Sequence, residues 1–250
     1  MEGHQFVFLA GLHRSGTTLL ARLLAAHPEI SGFSGTGVPA EEGQHLQSVY
    51  PLAATYGGPG RFGFAPESHL TEESPLASEE NARAIFEQWS QHWDLSRPVL
   101  LEKSPPNLLK TRFLQALFPG SAFVVIVRHP IPVSIPTAKW RGTRRYDRIL
   151  EHWLRCHALF EADREHLGRV HVLTYEQLVR EPESVLRGTF EFLGLDPVPP
   201  SEPVEGGANE KYFRQWRELK RDPRMRVYLD LVSLRYERRV RHYGYSLLSP

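Results

Sequence analysis

The 250-residue sequence has few of the features that mark special cases. It contains a single cysteine, Cys156, so no internal disulfide can form, and a lone thiol suits a reducing compartment. It has no apolar run approaching the roughly 20 residues a membrane helix needs. The longest, Phe6 to Leu12, is followed at once by His13 and Arg14. The N-terminus lacks the basic stretch, apolar core and small-residue cleavage site of an export leader. A cytoplasmic protein without a transmembrane segment is therefore expected. Charge of one sign is also missing: 30 Lys and Arg face 29 Asp and Glu, for a net charge of +1. With 41% hydrophobic and 24% charged residues, the chain is neither disordered nor collagen-like. The twelve histidines show no metal spacing; His152 and His157 are five apart and have no cysteine partners, so no metal site is expected.

What is present alternates. Phe6–Ala10, Val99–Leu101, Ala122–Val127 and Val170–Leu173 are short apolar runs of the kind that feed a buried parallel sheet. Helical periodicity fills the spaces between them, at residues 17–26, 146–167 and 184–193, the last two closed by Gly168 and Gly194. This alternation predicts an α/β three-layer sandwich around a parallel sheet of four or five strands, one domain over residues 1–250. Two stretches break the rhythm. Residues 32–78 are rich in loop formers, and so long a loop in a compact domain marks function. Residues 196–209 are Pro-rich and end in Gly206-Gly207.

The most informative segment joins the first strand to the first helix. Gly11-Leu-His-Arg-Ser-Gly16-Thr17-Thr18 is a glycine-bounded loop opening a helix, whose free N–H groups and dipole favour an anion. Ser15, Thr17 and Thr18 add hydroxyls. The spacing is that of a nucleotide-triphosphatase loop, but Thr17 stands where such a loop carries its phosphate-neutralising lysine. The cation is Arg14, inside the loop. That arrangement suits a nucleotide with one 5′ phosphate and a transferable group beyond it.

His13-Arg14-Ser15-Gly16-Thr17-Thr18 resembles the 5′-phosphosulfate-binding loop of the sulfotransferase family, with His13 in place of the usual proline. Leu101-Glu-Lys103-Ser-Pro105, Leu117-Phe-Pro119 through Val127-Arg128-His-Pro130, Thr174-Tyr175-Glu-Gln-Leu178 and Phe192-Leu-Gly-Leu195 are similar to further family segments, in the same order. The likeness is closer to bacterial, glycan and tyrosylprotein members than to cytosolic small-molecule ones. It implies a P-loop-like enzyme transferring a sulfuryl group from 3′-phosphoadenosine 5′-phosphosulfate (PAPS) to a hydroxyl or amine. The product nucleotide would be adenosine 3′,5′-bisphosphate (PAP), and no metal would be required.

The resemblance also implies roles. The backbone of residues 14–18 would hold the 5′ phosphate, Arg128 the 3′ phosphate, and Tyr175 would lie near the adenine. The family's companion serine falls at Pro136, leaving Ser134 or Thr137 as the substitute hydroxyl. Arg14 and Lys103 would stabilise charge developing on the leaving phosphate; Glu102, on the opposite strand face, reads as structural. The family's base positions carry no acid here, so Glu41, Glu42 and His45 are the candidates. Lys211 and Arg214 stand where the family has a late 3′-phosphate loop. The charges of residues 211–241 are interleaved with apolar residues as in an amphipathic helix, so no nucleic-acid partner is expected. Two other classes stay open: a P-loop small-molecule kinase, and a nucleotide- or nucleic-acid-binding module without catalysis. Acceptor and oligomeric state are not encoded in any motif.

Overall fold

A computed structural model of the protein describes residues 3–250. Five strands form one sheet, β1 (Gln5–Gly11), β2 (Ile30–Gly32), β3 (Val99–Lys103), β4 (Ala122–Val127) and β5 (Val170–Thr174). Their order is β2-β3-β1-β4-β5, and every pair is parallel. The helices are α1 (Thr17–Ala25), α2 (Glu79–Ser90), α3 (Thr111–Leu117), α4 (Pro130–Trp140), α5 (Tyr146–Arg164), α6 (Tyr175–Arg180), α7 (Pro182–Leu193), α8 (Ala208–Arg221) and α9 (Pro223–Arg241).

Strand alternation sorts the core into two faces. Val7, Leu9, Val124 and Ile126 pack with Leu20, Leu23 and Leu24 of α1 and Phe190 of α7. Phe6, Phe8, Leu100 and Phe123 point the other way, onto Trp89 of α2 and Phe113 of α3. A third cluster joins α4, α5, α8 and α9 around Trp153, Trp216 and Val232. Together these bury both faces of the central strands, as an all-parallel sheet requires.

The long segment after β2 is not bare loop. Between residues 39 and 68 it is folded into five short 3₁₀ turns and anchored to the core at Tyr50, Ala53 and Phe62. Irregular turns of three or four residues leave no period to read. The basic tail is two helices rather than one: Pro223 cannot continue α8, and the Asp222 side chain accepts from Arg224 N–H to start α9. Of its apolar residues, Trp216 is buried, whereas Val227, Leu231 and Leu234 face solvent. None of the described helices is long and apolar enough to cross a membrane.

Every strand but β2 ends at the same edge of the sheet in a residue singled out above. Gly11 closes β1, Lys103 closes β3, and Arg128 and Tyr175 directly follow β4 and β5. In an open α/β sheet, ligands sit outside these carboxyl ends, where the strand order reverses.

Candidate active site

The carboxyl ends of β1, β4 and β5 open into a cleft of about 420 Å³. Its walls include His13, Arg14, Gly16, Thr17, Thr18 and, across from them, Arg128 and Tyr175.

The loop is built for close approach. Arg14 is left-handed (φ 72°) and Gly16 has φ 100°, so the chain turns sharply into α1. A Cβ on Gly16 would lie 2.6 Å from the Tyr175 ring, which is why glycine is needed here. No side chain caps α1 and no acid lies in its first turn, so its leading N–H groups remain open to an anion. Ser15 is fully buried, and its hydroxyl has no partner among the described residues. Ser15 itself does not line the cleft.

Arg128 is 7% exposed and held on three sides. Nε donates to Asn209 Oδ1 (2.9 Å), Nη1 donates to the Arg14 carbonyl (2.8 Å), and the guanidinium lies 3.8 Å from the Tyr175 ring centroid. Nη2 is buried with no partner among the described residues. Arg128 lines the cleft, and a guanidinium with one unpartnered nitrogen suits a phosphate. Burial holds its pKa below the usual arginine value, opposed by the neighbouring Tyr175 and Glu176.

Lys103 ends β3 beneath the segment that follows β2. Its ammonium donates to the Ala40 carbonyl and lies 3.7 Å from Glu42 Oε1. Burial lowers its pKa, while Glu42 and Glu102 pull in the opposite direction. The covering backbone is strained: Ala40 (φ 53°) and Glu41 (φ 52°) are consecutive left-handed residues without glycine. Glu42 lines the cleft, and His45 Nε2 stands 3.9 Å behind it. Glu41 instead accepts from the Thr36 hydroxyl and N–H, which hold its carboxyl below the usual range. The three candidate bases are thereby separated: Glu42 reaches the cleft, His45 backs it, and Glu41 closes a turn.

Glu102 is fully buried under the same segment. Its carboxylate accepts from Ser104 Oγ (2.6 Å) and Asn107 Nδ2, and Ser104 Oγ accepts from Gln44 N–H (3.0 Å). A Cβ on Gly43 would meet that carboxylate at 2.5 Å. Burial pushes the Glu102 pKa up to about 7. Its contacts fit the structural role expected for it, tying the Gly43–Gln44 turn to β3.

Other expected residues lie elsewhere. Ser134 is fully buried in α4, does not line the cleft, and its hydroxyl has no partner among the described residues. Thr137 donates to the Val133 carbonyl within the same helix. Lys211 and Arg214 are exposed on α8, while their neighbour Tyr212 lines the cleft. Residues the motifs did not reveal are Asn209, which holds Arg128, and Trp140, whose ring is 5.2 Å from the Arg14 guanidinium. Trp140 is 58% exposed, an unusual state for so large an apolar surface. An aromatic beside a cleft was the one signal that could have found it.

Beyond Trp140 a second groove, of about 650 Å³, is lined by Arg61, Arg141, Arg145 and Arg148 together with Tyr56 and Phe64. Among the described residues, only Arg145 of these arginines has a carboxylate partner, Asp147.

A glycine-bounded, lysine-free loop and the buried arginine bonded to it define the cleft of this parallel α/β protein. The sequence profile of the sulfotransferase family matches residues 6–200, and the chain belongs to that family. It is 27% identical over 197 residues to protein-tyrosine sulfotransferase 2 of Gallus gallus, covering 76% of this chain and 51% of that one. It is 26% identical over 202 residues to protein-tyrosine sulfotransferase A of Caenorhabditis elegans, covering 76% and 50%. The chain thus spans about half the length of these relatives. Its fold is similar to the sulfotransferase domain from the curacin biosynthetic pathway (TM-score 0.51, 20% identity, 82% and 79% covered). It is also similar to sulfotransferase STF1 from Mycobacterium tuberculosis (TM-score 0.52, 17% identity, 85% and 71% covered).

Proposed function

We propose that the protein transfers a sulfuryl group from PAPS to an acceptor hydroxyl or amine. The observation that carries this reading is Arg128. A buried guanidinium with one unpartnered nitrogen, beside a glycine-bounded loop without lysine, suits a nucleotide bearing both a 5′ and a 3′ phosphate. Open N–H groups of α1 and the Thr17 and Thr18 hydroxyls would bind the 5′ phosphosulfate end. Arg128 would bind the 3′ phosphate and exclude ordinary adenylates.

Lys103 and Arg14 supply the positive charge that a transferring sulfuryl group and its leaving phosphate need. Glu42, poised at the ammonium of Lys103, would accept the acceptor's proton, and His45 would orient it. The acceptor would enter past Trp140, where the arginine-lined groove favours a molecule carrying negative charge near its reacting hydroxyl.

PAP release from PAPS, followed with and without a panel of alcohols, phenols and amines, tests the proposal. Acceptor-dependent release that disappears in Lys103→Ala, with nucleotide binding retained, is expected. Phosphoryl transfer from Mg²⁺-ATP to the same acceptors, with no turnover of PAPS, would replace this reading by that of a kinase.

A further inference from the structure

Residues 201–250 lie beyond the stretch matched by the family profile, yet they fix the orientation of Arg128. Asn209 is the second residue of α8, which starts after the left-handed Gly207 (φ 80°). Its Oδ1 accepts from Arg128 Nε at 2.9 Å.

An asparagine amide has a donor end and an acceptor end, and only the acceptor end tolerates a guanidinium. The choice is enforced from behind. Glu176 Oε1 accepts from Asn209 Nδ2 (2.7 Å) and from His129 N–H (3.1 Å). Its other oxygen accepts from the Tyr245 hydroxyl (2.9 Å). A line of hydrogen bonds thus runs from the C-terminal segment through Glu176 and Asn209 to Arg128. With Arg14 and Asn209 engaging Nη1 and Nε, Nη2 is the one guanidinium nitrogen without a partner among the described residues.

We infer that Asn209 is a positioning residue for donor selectivity: oriented by Glu176, it holds Arg128 so that Nη2 faces the 3′ phosphate of the nucleotide. The inference rests on the PAPS reading above. It predicts a loss confined to the 3′ phosphate, because Asn209 touches neither the phosphate loop nor Lys103. It also makes the C-terminal segment, through Tyr245, part of the donor site.

The test is calorimetric titration of the full chain with adenosine 3′,5′-bisphosphate and with AMP, on wild type, Asn209→Ala, Asn209→Asp and Glu176→Gln. The readout is the ratio of the two affinities. Losing a hydrogen bond to a charged group predicts a drop in that ratio of about 10- to 100-fold in Asn209→Ala, with AMP binding within about twofold of wild type. Asn209→Asp keeps the shape of the side chain but sets a carboxylate beside Glu176 and the phosphate, so it lowers the ratio at least as far. Glu176→Gln keeps an oxygen to accept from Asn209 Nδ2 and an N–H to donate to the Tyr245 hydroxyl, so it retains the orientation and lowers the ratio far less than Asn209→Ala. A ratio unchanged in both Asn209 variants, or parallel weakening of both ligands, overturns the positioning role. A wild type that does not prefer the bisphosphate overturns the donor reading itself, a separate result visible before any variant is compared.

Discussion

The ammonium of Lys103 and the carboxylate of Glu42 stand 3.7 Å apart, both largely buried, and of the two only Glu42 lines the cleft. One comes from the end of β3 and the other from the irregular segment after β2, some sixty positions earlier in sequence. Under the proposed reading, this pairing sets a cation for the leaving group beside a base for the incoming one. Breaking a buried pair leaves its partner uncompensated, so the folding of each variant below is checked by thermal denaturation beside its kinetics.

Lys103→Ala is expected to lower kcat by about 10²- to 10³-fold, the usual loss for one charge-stabilising donor. Nucleotide affinity should move far less, because the phosphate loop and Arg128 are untouched. Steady-state rates and titration on the same preparation check this; equal losses in both would make Lys103 a binding residue only.

Glu42→Gln is expected to lower kcat by about 10²- to 10⁴-fold, the usual contribution of a general base. Glu41→Gln, one residue away, should leave turnover nearly unchanged, since Glu41 closes a turn with Thr36. The neighbouring pair is its own control, and the reverse pattern of rates would transfer the role to Glu41.

Gly16→Ala should destabilise the protein by about 1–3 kcal/mol. The new methyl would meet the Tyr175 ring at 2.6 Å in a left-handed backbone. Thermal denaturation measures the cost, and nucleotide affinity should fall with it because Tyr175 also supports Arg128.

Stability should fall steeply on acidification. Burial keeps four imidazoles neutral, His13 and His152 at about 3 and His129 and His157 at about 4, against a usual 6.5. Lys103 and Arg14 add to the effect at His13. In the unfolded chain these groups bind protons below pH 6.5, whereas in the folded chain they do not until pH 3–4. Their stabilisation is therefore present above pH 6.5 and lost as pH falls toward 4, at up to about 1.4 kcal/mol per pH unit each. Glu102 acts in the opposite sense. Raised to about 7, it contributes stability below pH 4.5 that is lost as pH rises through 7. Thermal midpoints between pH 7.5 and 5 should drop sharply, and Glu102→Gln should make that slope steeper between pH 4.5 and 7. A flat profile would contradict the burial of these imidazoles.

Local chemistry determined how much was readable in advance. The glycine-bounded loop between β1 and α1 was legible because its whole signal lies within eight residues, and β1 and β4 because they are continuous apolar runs. β2 is three residues long, too short to show any alternation. α4 was illegible for a different reason: Pro130, Pro132 and Pro136 read as loop. The first two sit in the first turn, where a missing N–H costs nothing, and only Pro136 is interior. Glu42 was one of three equal candidates until the fold turned Glu41 toward Thr36. Asn209 carries no motif, because its contact with Arg128 exists only once α8 packs against α4, a tertiary fact without a local trace.

The acceptor side gives the remaining expectation. With a matched pair of acceptor phenols, one bearing a carboxylate, the charged member should be the better substrate. Arg61→Glu and Arg148→Glu should narrow the difference through KM, and added salt should weaken it in the same direction. Both residues line the arginine-rich groove without a carboxylate partner among the described residues.

The most direct measurement is calorimetric titration of wild type and Arg128→Ala with adenosine 3′,5′-bisphosphate, AMP and Mg²⁺-ATP. Wild type should bind the bisphosphate most tightly, and Arg128→Ala should bind it no better than AMP. Tighter binding of Mg²⁺-ATP, or a bisphosphate affinity indifferent to Arg128, would contradict the assignment of this cleft to PAPS.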